Sequence, residues 1–241
     1  MSFLRRKRDH DHDLSEADAA AAASGPAGAE ADDAAESEQT TGWSSQEKPR
    51  PQGPFDIDDV TDDVTRIDFG ALLVPAVDGM EIRLDVDDEG RVGAVAVVLD
   101  GTALQLQVFA APRTLGLWDE IRAEMSSGIG GSGGKTEEVD GPFGPELRAQ
   151  LPVAAPDGKQ TVQPVRFLGV DGPRWFLRGV VTGPGGADLG AGSAIHDVFG
   201  KVAVVRGDTA APPREPLLLT MPDDPALRPE APAQPPRPTA P

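Results

Sequence analysis

Between Phe55 and Pro222, run after run of this chain alternates apolar and polar residues at every second position, and that period demands sheet. In MEIRLDV, Ile82, Leu84 and Val86 share one face while Glu81, Arg83 and Asp85 share the other, the pattern of a half-buried antiparallel strand. The turn Asp87–Gly90 leads into RVGAVAVVL, apolar on both faces and so predicted as a central strand. Asp100-Gly101 marks a tight turn into TALQLQVFA, where Leu104, Leu106 and Val108 alternate with glutamine. Three such runs in succession predict a meander. Upstream, TRIDFGALLVPAV adds one or two strands near an edge, because Pro75 has no N–H to donate to a ladder.

The period then changes. Thr114 is a candidate cap for a helix in which Leu115, Trp118, Ile121 and Met125 face the core while Asp119, Glu120, Arg122 and Glu124 face water. The run GIGGSGG is expected to end it. Beyond lie KTEEVD, ELRAQLPVA, QTVQPVRFLGV and PRWFLRGVV, a second set of predicted strands. A short helix, SAIHDVF, begins at Gly192-Ser193, and KVAVVRG and PLLLTM complete the core. The expected fold class is α+β: a mainly antiparallel sheet, either one curved sheet or two, with two short helices.

The ends are of another character. Residues 1–54 are rich in Ala, Asp, Glu, Ser and Gly with hardly an aliphatic side chain beyond Leu14, too little to offset the entropy of ordering a chain. From Asp223 repeated proline removes backbone donors. Both ends, 1–54 and 223–241, are expected to be disordered, around a single α+β domain at 55–222. The opening MSFLRRKR is followed by DHDHDLSEADAAAAASG, with no apolar stretch long enough for a signal or a spanning helix. The expectation is a cytoplasmic protein without membrane insertion.

The net charge is −18, unevenly spread. Residues 1–55 hold 11 acids against 6 bases, residues 56–90 hold 12 against 2, and residues 91–241 hold 17 against 14. Such a surface repels phosphate backbones, which argues against direct nucleic-acid binding, and it steers basic protein partners toward residues 56–90. The same charge also serves as a solvated face that keeps the protein soluble.

Reactive side chains are scarce. The chain has no Cys, Tyr or Asn, and of three His only His196 lies beyond the leader. Thiol, haem-thiolate and cysteine-bound iron–sulfur chemistry are excluded, and too few ligands remain for structural or catalytic zinc. No metal, cofactor or catalytic residue is predicted. His196 and Asp197 are adjacent, and adjacent helical residues point about 100° apart, so they form no catalytic pair. His196 is expected at a boundary or on the surface.

Three stretches imitate functional motifs. GIGGSGGKT resembles a phosphate-cradling loop, but the Gly that must stand five positions before the Gly134-Lys135 pair is Ile129, and the element order is reversed. A flexible linker is expected there. DVDDEG opens like a calcium loop, yet its twelfth position is Ala96 where a bidentate Glu is needed, and the flanks read as strands. The Gly-rich segment Gly183–Gly192 fails the dinucleotide pattern, which runs into Asp188 or Ile195 where the third Gly belongs. It remains a candidate because Arg174, Phe176 and Arg178 share one face of the strand entering it, a local basic stripe, while Trp175 and Leu177 face the core. Arg174, Arg178, Gly185, Gly186, Ser193 and His196 are therefore the candidate ligand-binding residues.

The segments DGPRWFLRGVVTGPGG, FGKVAVVRGD and PPREPLLLTMP, following the APRTLGLWDEIRAEM helix, resemble an uncharacterised actinobacterial family filed as a domain of unknown function. The resemblance covers about residues 55–222. It implies a cytoplasmic protein of no established activity, its gene often near those for a dUTPase and a small OB-fold protein, and it carries no catalytic residues. The functional expectation is a non-catalytic interaction or regulatory module with an acidic face. The alternatives are a small phosphorylated-ligand binder or hydrolase, and an accessory protein of nucleotide or nucleic-acid metabolism.

Overall fold

The computed structural model describes residues 52–87, 89–114, 116–154, 160–187 and 193–222. Disorder is expected of residues 1–54 and 223–241, and of these 1–51 and 223–241 lie outside the described residues. Among the described residues the fold is α+β, with two mainly antiparallel sheets. The smaller contains β1 (Phe55–Asp56), β2 (Arg66–Asp68), β3 (Leu72–Pro75) and β11 (Ala203–Val204) in the order β1-β11-β3-β2. Its one parallel pair is β1 with β11.

The larger sheet has seven strands: β4 (Glu81–Val86), β5 (Val92–Leu99), β6 (Thr102–Ala110), β7 (Lys135–Gly141), β8 (Gly144–Ala154), β9 (Gln160–Gly172) and β10 (Trp175–Thr182). Their order, β4-β5-β6-β10-β9-β8-β7, joins the predicted meander to the second set of strands through β6 and β10. Among the described residues three α-helices accompany the sheets: α1 (Leu117–Gly131), α2 (Pro184–Ala187) and α3 (Ala194–Gly200). No helix among the described residues is long and apolar enough to cross a membrane.

Side-chain parity divides the large sheet into two faces. On the first, Leu104, Leu106, Val108, Trp175, Leu177 and Val181 join the small sheet and the Ile195, Val198 and Phe199 side chains of α3 in one core. Gly179 is part of that packing, since a Cβ there would lie 2.8 Å from the Phe199 ring. On the second, Phe176, Val180, Phe167, Val165 and Leu147 meet Leu117, Trp118, Met125 and Ile129 of α1. Helix α1 packs on β7, β8 and β9, so it covers only half of this face.

Three local expectations differ from the structure. The N-terminus of α1 is capped by Asp171 of β9, whose carboxylate accepts the Gly116 N–H at 3.1 Å and the Trp118 N–H at 3.2 Å. Thr114 does not cap it; Gly116 is the N-cap residue. Arg122 does not face water either, because its guanidinium stacks over Trp118 at 5.6 Å and its side chain is buried. The stretch expected as a linker is the end of α1, a turn at Ser132–Gly134 and the start of β7. Ile129, buried against β8, holds the helix through glycines that would otherwise fray, and Gly133, at φ 84°, turns the chain out.

PLLLTM forms no regular strand. Residues 214–220 instead make a strap in which Arg214 N–H donates to Ala110, Ala110 N–H to Glu215, Leu217 N–H to Val108 and Thr220 N–H to Phe69. Leu219 bridges to Val92 of the large sheet and to Gly70 beside the small one, tying the two together.

Candidate functional site

The uncovered half of the second face is built from β4, β5 and β6. Glu81, Arg83 and Asp85 of β4 lie exposed at its edge, Ala96 and Val98 of β5 and Gln105 and Gln107 of β6 are half-buried, and Arg178 of β10 stands at the border with the half under α1. Arg83 pairs with Ala96 and Ala96 with Gln105 in register across the strands, and Gln107 pairs with Arg178.

Arg178 is 8% exposed. Its Nη2 donates to Gln107 Oε1, its guanidinium lies 5.4 Å from the Phe109 ring centre, and among the described residues its Nε has no hydrogen-bond partner. Among the described residues no carboxylate neutralises it. Burial alone pushes its pKa down to about 10, so at neutral pH the group stays charged in a poorly solvated place.

Trp118, Phe176 and Phe109 form a stack, with ring centres 5.7 and 6.0 Å apart, and a guanidinium lies on each end. At the α1 end Arg122 is neutralised by Glu138 and Asp119, both at 2.9 Å. At the open end Arg178 has, among the described residues, the Gln107 amide and the Phe109 ring.

The six residues singled out from the sequence do not gather at one place. Arg174 occupies the two-residue turn between β9 and β10 at φ 60°, exposed, with its carbonyl accepting Ala111 N–H and Arg206 Nε. It contributes no side chain to the face bearing Arg178, and Phe176 is buried in the aromatic stack, so no exposed basic stripe exists. Gly185 and Gly186 lie in α2, where Gly185 N–H donates to Thr102 Oγ1 and Gly186 N–H to Gly183; both donors are taken internally. Ser193 caps α3 by accepting His196 N–H at 3.3 Å. Residues 188–192 of the Gly-rich segment lie outside the described residues.

His196 is buried, not at a boundary. Its ring stands edge-on to Phe143 at 5.9 Å, in the core on the first face of the sheet, so the sheet itself separates it from Arg178. The short helix α3 turns nearly every side chain inward because it is wedged beneath β10.

Arg174 lines a cleft of 460 Å³ together with Arg206, Asp56, Asp58, Asp59 and Asp208. Four carboxylates against two guanidiniums make it a poor anion site. The calcium-like turn is likewise closed on itself, since Asp87 accepts the N–H groups of Glu89 and Arg91 and pairs with the Arg91 guanidinium at 2.7 Å. Among the described residues no group of His, Cys, Asp and Glu could hold a metal. The acidic stretch 56–90 divides between the turn after β1 and the exposed edge strand β4, where charge also blocks edge-to-edge pairing.

A buried ion pair lies on the first face. Glu146 and Arg166 are each 2% exposed and 3.5 Å apart. Burial pushes the Glu146 carboxyl above its usual value despite the opposing charges of Arg166 and Arg148. The folded state therefore binds the proton better than the unfolded state, and the group's contribution falls as pH rises from 4.5 through the raised folded pKa. Denaturation at several pH values should show Glu146→Gln gaining on wild type across that window, and a constant difference would refute the assignment.

The sequence reading missed Gln105, Gln107 and Phe109 as companions of Arg178. Their signal was present in TALQLQVFA, a central strand with two glutamines on one face. A central strand of a fully covered sheet would not carry them. A family model described as Protein of unknown function (DUF3710) matches residues 53–228. No curated protein matches the chain.

Proposed function

Because the chain belongs to the family described as protein of unknown function (DUF3710), a description that assigns no chemistry, we propose its function from the geometry: a non-catalytic interaction module within residues 55–222. The uncovered half of the seven-stranded sheet is its binding face and Arg178 its anchor for an anionic group. One observation carries this reading, the buried guanidinium with no carboxylate partner among the described residues. A protein selected for stability alone would place an apolar side chain there.

The reading predicts a gain of stability when the anchor is removed. The lowering of its pKa to about 10 corresponds to roughly 3 kcal/mol against the charged form. Loss of the cation–π contact returns about 1 kcal/mol of this. Arg178→Met should therefore raise stability by about 1–2 kcal/mol, or about 3–6 °C in thermal denaturation. A fall in Tm would make Arg178 a structural residue and remove the basis for the module.

A small phosphorylated ligand is the second reading, since Arg178 would also attract a phosphate. The glycine N–H groups that were expected to assist are already bonded within the fold. A thermal-shift panel of nucleotides and sugar phosphates should be flat; stabilisation that disappears in Arg178→Met would favour this second reading.

A further inference from the structure

We propose that the group received by Arg178 is a single carboxylate, carried on an extended segment of a partner protein that lies along β5 over the half-buried Ala96. This rests on the reading of the uncovered half-face as a binding surface and adds the chemistry of what binds there.

Charge selects the carboxylate. Arg178 offers one uncompensated positive charge, and the next cation on the face, Arg83, is already paired with Glu81 at 3.0 Å. Glu81 and Asp85 on the adjoining strand, and the net charge of −18, repel a polyanion. A phosphate dianion or a nucleic-acid backbone needs several donors of charge, whereas a carboxylate needs one guanidinium presented as a fork.

Shape selects an extended segment. Ala96 sets the floor of β5 between Arg83 of β4 on one side and Gln105 of β6 on the other. Gln105 and Gln107 each present both donor and acceptor, the complement of a peptide's amides. The half-buried Ala96 and Val98 offer little apolar area, so binding depends on the charge-assisted contact at Arg178. Arg178 is already desolvated and held by Phe109 and Gln107 in the free protein, so pairing requires little further ordering.

Selection of a displayed library of random linear peptides, about twelve residues long, on the full chain tests the assignment. The selected peptides should share one Asp or Glu at a fixed position. Titration calorimetry should show at least about a ten-fold loss of affinity when that acid becomes its amide, and a similar loss with Arg178→Met. An empty selection, peptides without a common acid, or affinity indifferent to Arg178→Met would overturn the proposal. So would a phosphoserine that binds more tightly than the acid it replaces. If converting the acids of residues 1–55 to amides destabilises the intact chain, the occupant belongs to the chain itself and the partner assignment fails. The two readings fail separately: loss of stability in Arg178→Met removes the binding face, whereas gained stability with peptides that need no carboxylate removes only this inference.

Discussion

Arg166→Met is expected to lower stability at neutral pH by about 3–5 kcal/mol, because it leaves Glu146 as a buried carboxylate without its counterion. For a chain of this size that is a fall in Tm of roughly 10 °C or more. The loss should depend on pH in a definite direction. With Arg166 gone, burial acts on Glu146 with less opposition, so its folded pKa rises further. Below the wild-type folded pKa of Glu146, itself raised above 4.5, the carboxyl is neutral in both folded proteins and the electrostatic part of the deficit vanishes; above it the deficit grows with pH. The double variant Arg166→Met/Glu146→Leu should recover most of the loss. A deficit equal at pH 4 and pH 7 would mean that packing, not charge, dominates.

Gly169→Ala is expected to be comparably damaging for a purely steric reason. A Cβ on Gly169 would fall inside the Trp118 indole, which lies flat on the backbone of β9. Trp118 is held on both sides, stacked on Phe176 and donating Nε1–H to Pro145 at 2.7 Å, so it cannot give way without moving α1. Overpacking of this kind costs about 3 kcal/mol. Displacement of the buried indole should also shift tryptophan emission to the red. Gly93→Ala supplies the control, since its Cβ would meet nothing closer than 4.0 Å, and its effect should stay within about 0.5 kcal/mol. Equal effects at the two positions would show that backbone freedom, not the indole, sets the requirement for glycine.

Alternation made β4 and β6 legible in the sequence with their turns, and a run apolar on both faces made β5 legible between them. The period correctly put Phe176 and Arg178 on one face and Trp175 and Leu177 on the other. It could not say which face water would reach. A strand with cores on both sides reads the same whichever neighbour lies above it, and β10 is buried at every position. For the same reason His196 looked peripheral and Arg122 looked solvated: seven residues of α3 and one turn of α1 carry no mark of what packs against them. The strap escaped notice because bridges at Leu219 and Pro216 leave no periodic trace.

That strap has a bearing on how the chain reaches its fold. The Val108–Ala110 end of β6 gains its second hydrogen-bonded neighbour only from residues 214–217, made more than about a hundred residues later. Until they arrive the large sheet holds an open seam at its centre, with unpaired backbone beside a fully apolar interior. Nascent or refolding chains at that stage can pair with one another there, and refolding yield should fall as protein concentration rises.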